Sequence, residues 1–149
     1  PSLVVTLENQ TTTSVPWFLR QVLNANGNSY RQGTYIQGPD SNNGLFYLDS
    51  LFTFVSNRPI HTALRDISEF KLIYKPTGDT LRIYAAHLKA SSGSSNEQLR
   101  SAEVDSLRQV TNALPAGTDF IVCGDFNTPV TSVMFTKPWG DFQSAFDVA

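Results

Sequence analysis

The chain has 149 residues, 40% hydrophobic and 11% aromatic, which excludes a disordered protein and allows one domain with a sizeable core. Eleven Lys and Arg against 13 Asp and Glu leave a net charge of −2, and the cations are scattered, which excludes a basic tail. The single cysteine excludes an internal disulfide, and no apolar stretch approaches the ~18–20 residues of a membrane span.

Residues 3–7, Leu-Val-Val-Thr-Leu, read as a buried strand that ends on the carboxylate of Glu8. Residues 14–25 place Val15, Phe18, Leu19, Val22 and Leu23 at helical spacing, with Ser14 as N-cap, Pro16 in the first turn and Gly27 as the stop. Trp17 falls on the apolar side of that helix and reads as core. Residues 26–43, rich in Asn, Gly and Ser, predict a loop or irregular edge strand anchored by Tyr30, Tyr35 and Ile36. Residues 44–47 and 51–55 predict paired strands.

A clearer hairpin follows, with strands over 69–75 and 80–86 joined by the turn Pro76-Thr77-Gly78-Asp79 and ending at His87. His61 reads as a surface or structural group, and Arg65-Asp66 as solvated surface charges. The serine-rich segment 91–95 predicts a flexible entry to a helix, with Ser94/Glu97 or Ser95/Gln98 as a capping box. Leu99, Ala102, Leu107, Val110 and Leu114 mark that helix's apolar face, and Pro115 and Gly117 end it. Phe120 to Cys123 then form a short buried strand with Cys123 as a small core residue. Mixed antiparallel strands with interspersed helices predict an α/β sandwich rather than a parallel doubly wound sheet.

Three strand ends carry polar groups: Glu8, His87, and Asp125 with Asn127 after Gly124. A carboxylate at a strand end suits Mg²⁺, a hard cation that prefers oxygen and keeps several waters. Histidine can meet a phosphate oxygen or move a proton, and an aspartate with an asparagine can orient a water. Together these are the parts of a metal-assisted phosphoester hydrolase. Each has a plainer reading: Glu8 as the point where a strand meets water, His87 as a structural histidine, and Gly124 to Pro129 as an ordinary turn. Trp139 reads either as core or as a stacking platform. No His or Cys cluster has zinc-ligand spacing, and there is no Walker-type phosphate loop.

Taken in order, Glu8, His87-Leu88-Lys89 and Gly124-Asp125-Phe126-Asn127, with a helix between the last two, resemble the endonuclease/exonuclease/phosphatase superfamily. That group includes deoxyribonuclease I-like nucleases, abasic-site endonucleases, sphingomyelinases and inositol-phosphate phosphatases. The resemblance covers nearly the whole chain, out to Phe142-Gln143-Ser144-Ala145-Phe146, and implies a four-layered α/β/β/α sandwich with mostly antiparallel mixed sheets. It implies that Glu8 ligates Mg²⁺ (or Mn²⁺) and that His87 contacts the scissile phosphate. By the same likeness Asp125 orients or activates the attacking water, and Asn127 helps position the phosphate and Asp125.

The activity so implied is metal-dependent phosphodiester hydrolysis, nuclease-like and with nucleic acid as substrate. A phosphatase or phospholipase acting on lipid or inositol phosphates is the alternative enzyme, and a non-catalytic binding module is the alternative of another class. Arg31, Lys89 and Arg100 are the cations available to line a groove for a polyanion. The His87-Leu88-Lys89-Ala90 segment looks most like bacterial members, which are often secreted. The chain departs from the family pattern in two places: it begins after the family's asparagine-bearing strand and stops at Ala149, before a Ser-Asp-His segment. The resemblance therefore implies an incomplete domain over residues 1–149, and a piece that is inactive or nearly so by itself.

Overall fold

A computed structural model of the chain describes residues 1–128. The expectations for Pro129, Trp139 and residues 142–146 lie outside the described residues. Among the described residues seven strands, β1 (Leu3–Asn9), β2 (Tyr30–Gln32), β3 (Asn42–Leu48), β4 (Phe52–Ile60), β5 (Ile67–Tyr74), β6 (Thr80–His87) and β7 (Phe120–Asp125), form two sheets. One sheet has the order β1-β3-β2, the other β4-β5-β6-β7. All pairings are antiparallel except β6 with β7, which are parallel and joined through the helix α2 (Ser94–Thr111). A parallel pair needs such a crossover, because the chain must travel back the length of the sheet.

Side-chain alternation sorts the strands into layers. Leu45 and Tyr47 of β3 face Phe52, Phe70, Leu72, Ile83 and Ala85 of the other sheet, making an inter-sheet core that Leu3 and Val5 extend. The intervening Phe46 points the other way and meets Phe18 of α1 (Ser14–Phe18) at a ring-centroid distance of 5.3 Å. On the far sheet, Tyr84, Ala86 and Val122 alternate outward and pack beneath Val104 and Leu107 of α2. The layers are therefore α1, sheet, sheet, α2, as the α/β/β/α expectation has it.

Several local expectations are corrected. The first helix runs as α from 14 to 18 and then widens into a π-helical turn over Leu19–Leu23, with Asn24 N–H donating to the Leu19 carbonyl (2.9 Å). Its N-cap position is Thr13 rather than Ser14, and no side chain caps it. Val15 and Phe18, three apart, take the sheet-facing stripe, so Trp17 falls outside it and is 56% exposed rather than core. Strand β4 continues past Val55 to Ile60 because Pro59 lies on an edge strand, where the missing N–H breaks no ladder. Gly93, at φ 102°, caps α2, and neither serine forms the expected box.

The buried face of α2 is Arg100, Glu103, Val104, Leu107 and Thr111, while Leu99 is exposed. Arg65 and Asp66 are not solvated: Arg65 Nε pairs with Asp40 (3.0 Å), and Asp66 pairs with the exposed His61 (3.1 Å). Cys123 is half-buried against the inter-sheet core, and burial pushes its thiol pKa up. Among the described residues no helix is long and apolar enough to cross a membrane.

Candidate functional site

Strand β1 pairs regularly with β3 up to Thr6 opposite Gly44 and resumes at Asn9 opposite Asn42, so Leu7 and Glu8 together oppose one residue. This is a β-bulge, a device that re-aims a side chain. Strict alternation would send Glu8 the same way as Val4 and Thr6, toward α1. Instead its backbone adopts a left-handed conformation (φ 58°), and its carboxylate reaches toward the other sheet. Positive φ costs a non-glycine residue on the order of 1–3 kcal/mol and persists only where neighbours hold it. The holder is Asn9, whose buried Nδ2 donates to the Thr6 carbonyl (3.3 Å), Thr6 Oγ1 (3.1 Å) and the Asn42 carbonyl (3.1 Å).

On the opposite sheet His87 is the last residue of β6 and the register partner of Asp125, the last of β7. Its Nε2 lies 3.7 Å from Glu8 Oε1, with the histidine side chain 7% exposed and the glutamate 68%. His87 Nδ1 is buried and has no hydrogen-bond partner among the described residues. Gly124 permits the close pairing of β7 on β6: at φ 141°, a Cβ there would sit 1.8 Å from the Ala86 carbonyl oxygen. Asp125 Oδ1 accepts the Asn127 backbone N–H (2.9 Å), an Asx-turn, and Asn127 itself adopts φ 49°. Asn127 Nδ2 donates to the Leu88 carbonyl (3.0 Å), and Leu88 N–H donates to the Asp125 carbonyl (2.9 Å). The turn reading of this segment is therefore correct, and the turn is what fixes Asp125 beside the end of β6.

Glu8, His87, Asp125 and Asn127 thus gather where the ends of β1, β6 and β7 meet across the seam between the sheets. Asn43 ties that seam together from β3: its Nδ2 donates to the Ala85 carbonyl (2.9 Å), Ser68 Oγ (3.2 Å) and the Asp66 carbonyl (3.2 Å). Sequence reading placed Asn43 at the end of a loop or irregular edge strand and passed over Asn9. The only signal was an asparagine beside each strand end, which periodicity does not weigh. Two of the three groove cations are elsewhere: Arg31 pairs with Asp49 (2.8 Å) opposite Tyr47, at the other end of its sheet, and Arg100 is buried. Lys89 Nζ reaches the Ala90 carbonyl (2.9 Å).

The donor set is hard oxygen: one mostly exposed carboxylate on Glu8 and an exposed Asp125 nearby. Mg²⁺ is usually held by one or two carboxylates and retains several waters. Among the described residues no three His, Cys, Asp or Glu form a cluster of the kind that cages a metal. The residues present fit a lightly held, hydrated cation.

Stacked sheets flanked by helices, with a glutamate on one strand end and His, Asp and Asn on two others, define a deoxyribonuclease I-like sandwich. The chain has the fold of the endonuclease/exonuclease/phosphatase superfamily, and it spans about half the length of the solved structures it matches. The human Nocturnin catalytic domain with bound sulfate anion is 25% identical, covers 88% of this chain and 53% of its own, and has a TM-score of 0.69. An endonuclease/exonuclease/phosphatase family protein from Bacteroides thetaiotaomicron is 16% identical, with coverage of 96% and 54% and a TM-score of 0.70. D. rerio TDP2 complexed with a single-strand DNA product is also 16% identical, with coverage of 100% and 53% and a TM-score of 0.64. No family model and no curated protein matches the sequence.

Proposed function

We propose that the protein containing this chain is a phosphoester hydrolase, and most specifically a metal-dependent phosphodiesterase of the nuclease kind. The observation that carries the reading is the meeting of Glu8 with His87, 3.7 Å apart, beside the Asp125–Asn127 turn. These are residues from distant parts of the chain, brought to one rim. The fold it shares with a TDP2 that holds a DNA product supports nucleic acid as substrate.

In this reading Glu8 holds Mg²⁺ or Mn²⁺, which when bound supplies positive charge to the phosphate. Asp125, with Oδ1 committed to Asn127 N–H, uses its other oxygen to take a proton from the attacking water. The new P–O bond forms in line as the P–O bond to the leaving group breaks, and the leaving oxygen takes its proton from solvent water. His87 donates from Nε2 to a phosphate oxygen. Asn127 positions Asp125 through its backbone N–H and the β6 end through Nδ2 on the Leu88 carbonyl, which leaves its second amide hydrogen for a phosphate oxygen.

A second reading, a phosphatase or phospholipase taking a smaller phosphate ester, is favoured by one observation. Of Arg31, Lys89 and Arg100, the first lies at the far end of its sheet and the last is buried, so they do not line a common groove.

The test is hydrolysis by the full-length protein of a single-stranded oligonucleotide and of a small phosphate monoester, with Mg²⁺ present and then removed by chelator. His87→Ala and Asp125→Asn should each lower the rate about 10²- to 10⁴-fold. Glu8→Gln should raise the Mg²⁺ concentration needed. Both substrates cleaved at undiminished rate by His87→Ala and Asp125→Asn would sink the assignment.

A further inference from the structure

The inward face of α2 is divided. Val104 and Leu107 are aliphatic and cover Tyr84, Ala86 and Val122, as a helix on a sheet should. One turn earlier the same face carries Arg100 and Glu103, which are 4% and 3% exposed. Burying ionised groups is costly, and hydrophobic residues of similar size commonly fill such places at less cost. Their partners explain the choice. Glu103 Oε2 accepts the backbone N–H of Lys89 (2.8 Å), while one Arg100 amino group donates to the carbonyls of Lys89 (2.8 Å) and Ser91 (2.9 Å).

These contacts all fall on the segment that leaves the site. His87 is followed directly by Leu88, whose N–H is held by the Asp125 carbonyl and whose carbonyl is held by Asn127 and, at 3.4 Å, by Arg65. Lys89 then has its donor on Glu103 and its acceptor on Arg100. Ser91 sits at φ 79°, a conformation a serine keeps only under restraint, and its carbonyl is one that Arg100 grips. The chain from Lys89 to Ser91, which leads into the serine-rich segment, is thus tied to a helix that rests on the sheet.

We infer that Arg100 and Glu103 are positioning residues for the hydrolytic site: they fix the strand end after His87, and through it the histidine's place relative to Asp125. The inference rests on the proposed function for its catalytic consequence, while the geometric consequence stands alone. Neither side chain touches substrate. A histidine displaced by about 1 Å loses catalytic power, on the order of 10²-fold, without losing its chemistry.

The experiment compares Glu103→Ala, Glu103→Gln, Arg100→Lys and Val104→Ala in the full-length protein. It reads kcat and KM separately, the NMR signals of the His87 imidazole, and amide exchange at residues 88–91. Glu103→Ala should lower kcat about 10- to 100-fold with KM little changed, shift the His87 signals and speed exchange of the Lys89 amide. Glu103→Gln keeps an acceptor oxygen and should restore all three. Arg100→Lys keeps the charge but not the two-carbonyl reach, and should fall between.

Val104→Ala removes packing from the same face, in the cluster that includes Leu88, but none of the hydrogen bonds to residues 88–91, and should leave kcat and the His87 signals as they are. If Val104→Ala lowers kcat as much as Glu103→Ala, the effect is general destabilisation and the inference falls. Unchanged His87 signals and Lys89 exchange in a folded Glu103→Ala variant also overturn it. If Glu103→Ala does not fold, Glu103→Gln with Arg100→Lys carries the comparison, and wild-type His87 signals in Arg100→Lys then overturn it. If the wild-type protein hydrolyses no phosphoester, the proposed function fails, and the imidazole and exchange readouts still decide the positioning.

Discussion

Gly124→Ala tests how closely the site depends on one backbone approach. The added methyl would sit 1.8 Å from the Ala86 carbonyl oxygen, and ordinary contact begins at 3.4 Å, so β6 and β7 must part locally by about 1.6 Å. Ladder bonds stretched that far are lost, at about 1 kcal/mol each for the two nearest. Holding alanine at φ 141° adds roughly 1–3 kcal/mol. The total, about 4 kcal/mol, is a large part of the 5–15 kcal/mol that holds a typical domain together. Urea unfolding of the purified protein and its variant, followed by circular dichroism, measures the difference. The midpoint should fall sharply while the slope stays constant. A variant within about 1 kcal/mol of the wild type would refute the reasoning, because it would mean the strands are not held as closely as described.

Two further predictions concern the buried carboxylate Glu69, which faces Arg58 (Nε at 2.8 Å) and Arg82. Arg82 is 22% exposed and Arg58 60%, so Arg82→Ala should cost about 3 kcal/mol by leaving a buried charge half-compensated, and Arg58→Ala under about 1 kcal/mol. Thermal denaturation ranks the two, and the reverse order would contradict the burial argument. Tyr84, one strand over, has its pKa pushed up from 10.0 to about 12, first by burial and then by the Glu69 carboxylate. The folded state therefore keeps a proton that the unfolded state gives up near pH 10, so stability falls as pH rises from 10 through 12. Titration of phenolate absorbance against Tyr84→Phe should show Tyr84 ionising last or only on unfolding; a Tyr84 component near pH 10 would contradict this.

Much of the frame was legible in the sequence because it follows from side-chain periodicity. Residues 3–7 and 120–123 are β-prone, mostly apolar runs and residues 80–86 a strand-like run after a turn, and all three are strands. The Pro76-Thr77-Gly78-Asp79 turn brings its hairpin with it. What periodicity does not register is a polar group whose partner is backbone. Arg100 and Glu103 lie on the buried face of α2, yet a count of apolar residues turns that face toward Leu99 and Ala102. The bulge at Leu7 and Glu8 is likewise set by β3 and by the side-chain bonds of Asn9, the last residue of β1, neither of which a count of apolar residues over 3–7 registers. The strand ends could be named, but whether Glu8 faced His87 or α1 was decided by one extra residue in the ladder. For Trp17, Val15 and Phe18 already fill the sheet-facing stripe, and a residue between them is left outside it however apolar it is.

Glu8 belongs to one sheet and His87 to the other, and no strand is common to both. No strand ladder spans the gap between them; Asn43 bridges it with hydrogen bonds, and core packing spaces it. What sets it is the thickness of the filling: Leu45 and Tyr47 on one side, Phe70 and Ile83 on the other. Close-packed interiors transmit a change of one methylene into movement of their neighbours. The alignment of the rim is therefore governed by the bulk of side chains that no substrate ever meets.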